Sequence, residues 1–168
     1  MTGGDDHPGL FELLRADWAT VAGRSPNPLS FVYPQLSAVV AYRVSNALWR
    51  RGRNRLSRLA MVIGQLVTGA EISGAATIGP GLRISHTAGI VIGSGVVAGS
   101  NLHLYAGALL GNHRGQPPTL GDDVKVCSKA TVIGPVHVGD GAVIGPHALV
   151  MSDVPAGARV HAPVAVVG

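Results

Sequence analysis

The sequence predicts a mainly β fold: a left-handed parallel β-helix of hexapeptide repeats with an N-terminal α-helical cap. Three observations predict it. The first is a period of six that runs from Leu66 to Val154. Read from Leu120, the second half divides into LGDDVK, VCSKAT, VIGPVH, VGDGAV, IGPHAL and VMSDVP. The second is the filling of two places in each unit. The first place is aliphatic (Leu120, Val126, Val132, Val138, Ile144, Val150), and the fifth is small or β-branched (Val124, Ala130, Val136, Ala142, Ala148, Val154). The third is the filling of the turn places by Gly, Asp, Asn, Ser and Pro, which accept tight or left-handed backbone. A period of six fits neither an amphipathic helix nor a half-buried strand. It fits short strands forming the flat faces of a triangular solenoid, about eighteen residues to a circuit. A Gly-rich β-sandwich is the alternative, but sandwiches do not hold one period this long.

Taken in order, the chain opens with a helical segment, residues 1–65. Leu10 to Val21 reads as a helix with Leu10, Leu13, Leu14, Trp18 and Val21 on one side. Gly23 to Pro34 is a proline-rich loop. Gln35 to Arg51 is a second helix, stopped by Gly52. Leu56 to Thr68 is a third, with Leu59, Val62, Ile63 and Leu66 facing inward and its end overlapping the first repeat. These helices are expected to cover the open end of the solenoid, where strand edges and apolar core lie bare. The β-helix domain is expected over 66–156. Its first half reads LVTGAE, ISGAAT, IGPGLR, ISHTAG, then, after an insertion at Ile90 and Val91, IGSGVV, AGSNLH and LYAGAL. A loop from Leu110 to Thr119 separates the halves, and residues 157–168 form a C-terminal tail.

Composition narrows the functional classes. The 168 residues suffice for one cored domain, and 46% hydrophobic with 13% charged residues exclude a disordered chain despite 24 glycines. The net charge of +4 is concentrated in Arg50, Arg51, Arg53, Arg55 and Arg58. That stretch reads as a solvated helix end; a site for anionic lipid or polymer is the alternative. Aromatic residues are 4%, with no nucleic-acid module. Cys127 is the single cysteine, which excludes an internal disulfide and a thiolate metal cluster. No apolar run approaches the length of a membrane span, and no signal pattern opens the chain, so the cytoplasm is the expected compartment.

The run GAEISGAATIGPGLRISHTAGIVIG, the helix sequence AYRVSNALWRRG and the ending VMSDVPAGARV resemble the serine acetyltransferases. Shorter relatives that acetylate sugars in exopolysaccharide synthesis share the arrangement. The resemblance spans nearly all of residues 10–160. It implies a homotrimer of β-helices, acetyl-CoA as co-substrate in a groove between subunits, and a histidine that deprotonates the acceptor hydroxyl. The matching histidine is His86, and its carboxylate partner falls on Glu71, where most members have Asp. The CoA contacts fall on Gly111, Asn112, Ser128 and Pro146. No metal is implied. Zinc hydratases on this fold need two histidines five residues apart, a spacing absent here. His7, His103, His137, His147 and His161 read as turn or outward residues.

The chemistry suits these residue types. A neutral imidazole accepts a proton from an alcohol attacking a thioester. A carboxylate on the far ring nitrogen fixes the tautomer and supports the imidazolium, and backbone N–H groups in glycine-rich turns receive the oxyanion. The acceptor pocket is where the chain departs from the family. The Asp before the catalytic histidine is Ser85. The Asp of the helical part aligns with Ser25. The Arg-His pair of the loop aligns with Gln116 and Pro117, and His113 and Arg114 in that loop are candidate substitutes. These neutral groups lead to an expectation of O-acetylation of an uncharged hydroxyl, on a sugar or natural product. Acetylation of free serine for cysteine synthesis is the alternative, and an inactive hexapeptide scaffold is the reading from another class.

Overall fold

The computed structural model describes residues 8–22 and 34–163. Three helices come first: α1 (Leu10–Ala22), α2 (Pro34–Arg50) and α3 (Asn54–Thr68). Fourteen short strands then wind through five coils. The first coil holds β1 (Glu71–Ile72), β2 (Thr77–Ile78) and β3 (Arg83–Ile84), and the second β4 (Val91–Ile92), β5 (Val97–Ala98) and β6 (His103–Leu104). The third holds β7 (Leu109–Gly111), β8 (Thr119–Leu120) and β9 (Lys125–Val126), and the fourth β10 (Thr131–Ile133), β11 (His137–Val138) and β12 (Val143–Ile144). The fifth holds β13 (Leu149–Val150) and β14 (Arg159–Val160). Every pairing is parallel and joins one coil to the next, giving three flat faces. Face A is β1-β4-β7-β10-β13, face B is β2-β5-β8-β11, and face C is β3-β6-β9-β12-β14. The chain is a left-handed parallel β-helix with a helical N-terminus.

The sixfold pattern is the core. First-place residues from Ile72 to Val150 all point into the prism and are buried, as are fifth-place residues such as Leu82, Val96, Leu102, Val124 and Ala142. Columns of left-handed residues turn the corners: Gly81, Asn101, Asp123, Gly141 and Gly157 between faces B and C, and Gly69, Gly89, Gly107, Lys129 and His147 between C and A. Gly81 holds φ of 82°, where an L side chain is strained, and a Cβ there would also press on Asn101 Oδ1 of the next coil.

A buried polar hub fastens the helices to the first coil. Arg43 of α2 donates from Nε to Asp17 Oδ2 at 2.8 Å and from Nη2 to Oδ1 at 3.0 Å. It also donates to Ile78 O at 2.6 Å and to Gly79 O at 2.7 Å. Asp17 of α1 accepts the N–H groups of Gly81 and Leu82 at 2.9 and 2.8 Å. Tyr42 donates to Ala76 O and accepts from Ile78 N, and burial pushes its phenol up to about 12.

Four sequence expectations shift. Helix α3 runs to Thr68, where Gly69 ends it in the left-handed conformation, so Leu66 sits on the helix, 81% exposed, rather than in a first repeat. Leu59, Val62 and Ile63 also face outward. The side of α3 against α2 is lined instead by Ser57, Gly64 and Thr68, because the two helices approach too closely for anything larger: a Cβ on Gly64 would lie 2.7 Å from Ala41 Cβ. The two-residue insertion lies earlier than Ile90. Ile90 is fully buried in a fifth place whereas Ala88 is exposed, so the extra residues fall in the corner Ser85–Ala88. The last strand, Arg159–Val160, pairs beyond residue 156.

Candidate active site

His86 stands on the corner between faces C and A, and that corner is enlarged. Val91 pairs over Glu71 after twenty residues, whereas Leu109 pairs over Val91 after eighteen. The surplus is spent between Ile84 and Ile90, and it carries Ser85, the exposed His86 and Thr87 away from the regular turn. Glu71 heads face A at the same corner: its N–H donates to Ile90 O, and Gly89 N–H donates to Gly69 O. The carboxylate of Glu71 accepts from Gln65 Nε2 of α3 at 3.1 Å. Among the described residues no hydrogen bond joins it to His86.

The residues assigned to CoA divide between two corners. Ser128 and Pro146 lie on the C–A corner, one above the other, with Lys129 N–H bonded to Ala106 O and His147 N–H to Ser128 O. They continue the column of Ala88 and Ala106, on the corner where His86 stands. Gly111 and Asn112 lie at the far end of face A, where it turns into face B. The loop that follows is a tight hairpin. His113 and Gln116 exchange both backbone hydrogen bonds at 3.0 Å, and Arg114 and Gly115 occupy its tip with φ of 52° and 81°. That is a primed two-residue turn, the kind that matches strand twist. Its side chains His113, Arg114 and Gln116 are exposed. Within one chain they belong to a different corner from Ser85 and His86. Ser25 lies outside the described residues.

Ser85 is the best-anchored of the acceptor candidates. Its carbonyl accepts Gln35 Nε2 at 3.1 Å, and its Oγ lies 2.8 Å from His103 Nε2. His103 is a correction to its reading as an ordinary outward residue. It does point away from the prism, since its neighbour Leu104 points in, yet it is only 6% exposed and its ring lies 4.4 Å from that of Tyr105. Sequence reasoning missed His103 and Gln35. A trace of the first was available, for His103 sits one coil beyond Arg83 and so beside Ser85. Gln35 carried none.

A groove of about 470 Å³ runs between α3 and the first two coils, lined in part by Trp49, Arg55, Arg58, Glu71 and Ser94. It reaches Glu71 but not His86. Among the described residues no group of three or more His, Cys, Asp or Glu is placed to hold a metal ion, and no helix is long and apolar enough to cross a membrane.

Comparison with known proteins bears on the same region. The family model "Bacterial transferase hexapeptide (six repeats)" matches residues 117–151. The serine acetyltransferase of Helicobacter pylori is 37% identical over 140 residues, covering 81% of this chain and 82% of that protein. The crystal structure of Neisseria gonorrhoeae serine acetyltransferase in complex with serine matches with a TM-score of 0.84 at 30% identity, over 92% of this chain and 67% of that one. A serine acetyltransferase in complex with CoA matches with a TM-score of 0.82 at 26% identity, over 89% and 66%.

Proposed function

The chain belongs to the serine acetyltransferase family, which makes it an acyltransferase using acetyl-CoA as co-substrate, and from there we propose that its acceptor is the hydroxyl of free L-serine. The observation that carries the chemistry is His86, exposed on the enlarged corner between faces C and A, the edge that also carries Glu71, Ser128 and Pro146. In this reading His86 takes the proton of the serine hydroxyl as the oxygen attacks the thioester carbonyl. A C–O bond forms, the C–S bond breaks, and the proton passes to the departing thiolate. Glu71 supports the imidazolium, and backbone N–H groups meet the oxyanion. The expectation of an uncharged acceptor gains nothing from the relatives, whose names and serine complex favour the serine alternative.

A second reading, a neutral hydroxyl on a sugar or polyol, draws on one observation. The residue immediately before His86, Ser85, is a hydroxyl paired with His103 and supplies no carboxylate for an ammonium. Thiol release from acetyl-CoA over L-serine and a panel of sugars separates the two. Turnover of L-serine with KM below ~1 mM is the expected result. Turnover of a sugar with none of L-serine would sink the first reading.

The proposal extends to assembly. The candidate residues sit on two corners of one prism, so a complete site calls for the loop corner of a neighbouring copy against the His86 corner, as a homotrimer supplies. The outward row on α3, Leu56, Leu59, Ile63 and Leu66 with exposures of 47 to 81%, supports burial against further copies. The helical segment and the β-helix that carries the transfer chemistry then divide after Thr68, and the β-helix runs on to Val160. A monomeric mass in light scattering, with activity retained, would remove the shared site.

A further inference from the structure

Gln35, in the first turn of α2, has one polar atom unaccounted for. Its Nε2 donates to Ser85 O at 3.1 Å, while its Oε1 is shut away from solvent with no hydrogen-bond partner among the described residues. The two ends of the amide are not interchangeable, since only the N–H end can face a carbonyl oxygen. A buried amide oxygen without a donor is costly, and such atoms are rare in native structures outside places of function. This one belongs to the carboxamide that holds the residue immediately before His86. Ser85 is fixed from two sides, its carbonyl by Gln35 and its hydroxyl by His103, which leaves Gln35 Oε1 as the uncommitted hydrogen-bond acceptor of that cluster.

We propose that Gln35 is an acceptor-specificity residue, its Oε1 receiving an N–H or O–H of the molecule whose hydroxyl is acetylated, which for L-serine is the α-ammonium. The inference rests on the reading of His86 as the base that acts on a small hydroxyl acceptor. The oxygen has no accessible surface in the free chain, so the donor reaches it only when the Gln35 carboxamide turns out from its cover, and the oxygen then gains a partner without losing one. A site built this way rejects an analogue that lacks the donor.

The test uses the full chain and two substrates: L-serine and β-hydroxypropanoate, which keeps the hydroxyl and carboxylate but has no amine. Gln35→Met is expected to lower kcat/KM for L-serine by ~10- to 100-fold, the scale of one hydrogen bond to a charged group. The loss for β-hydroxypropanoate is expected to be at least about tenfold smaller than the loss for L-serine, because both substrates lose the Ser85 anchor but only L-serine loses the bond to Oε1. Gln35→Ala, run in parallel, guards against an effect of methionine's bulk. Equal losses on both substrates, as a loosened Ser85 backbone would give, overturn the proposal, and so does an unchanged value for L-serine. Should the wild-type chain acetylate a sugar and not L-serine, the serine reading falls by itself. Gln35 is then judged on that sugar against its deoxy analogue, by the same two outcomes.

Discussion

His86 projects from a surface corner, so its side chain can be removed without opening the core. His86→Ala is expected to lower kcat by roughly a hundredfold or more, the usual scale for a lost general base. Glu71→Gln is expected to cost less, since it removes orientation and charge support but not the proton acceptor. Near wild-type thiol release by His86→Ala would take that residue out of the mechanism. Tyr42 makes a separate prediction about pH. Its phenol, raised by burial to about 12 from an ordinary 10, keeps a proton in the native state that the unfolded chain has already lost. Its contribution to stability is therefore complete below pH 10 and shrinks as pH rises toward 12, at a slope of up to roughly 1.4 kcal/mol per pH unit. Urea titrations at several pH values should show that slope in the wild type and not in Tyr42→Phe. The same residues mark what the sequence discloses at this scale. His86 and Glu71 are legible because a motif surrounds them. His103 and Gln35 are not, because what gives them meaning is a partner eighteen or fifty positions away.

Among elements, the strands were the easiest to read. A first-place aliphatic has one direction to point in a prism, so the period specifies both the strand and its buried side. The helices are legible as helices, but the packed face of α3 is not. An apolar row at spacings of three and four usually marks the packed side, and here the packed side is made of small residues that let α2 approach. Nothing in the amphipathic pattern of α3 encodes that choice, which depends on Ala41 and Ser45 of its neighbour. The join between helices and coils rests on Asp17 and Arg43, both about 1% exposed. Asp17→Ala would strand a buried guanidinium and leave the N–H groups of Gly81 and Leu82 unpaired. It is expected to cost about 3–5 kcal/mol, as is usual when one partner of a buried ion pair is removed. Denaturant unfolding measures it, and a loss below about 1 kcal/mol would mean the hub is solvated.

At the scale of the molecule, each coil touches only the coil before and the coil after, so stability accumulates along one axis. The enlarged corner at Ser85–Ala88 is the exception to uniform stacking that matters most, because the proposed base stands on it. Selection for stability alone would trim it back to six residues, and the resulting chain would be a more regular rod with no projecting histidine. Rigidity and reactivity thus pull on the same few positions in opposite senses. In a polymer written in sixes, a miscount is the cheapest way to store an instruction: counting reveals that two residues are surplus, and the burial of Ile90 reveals where they lie.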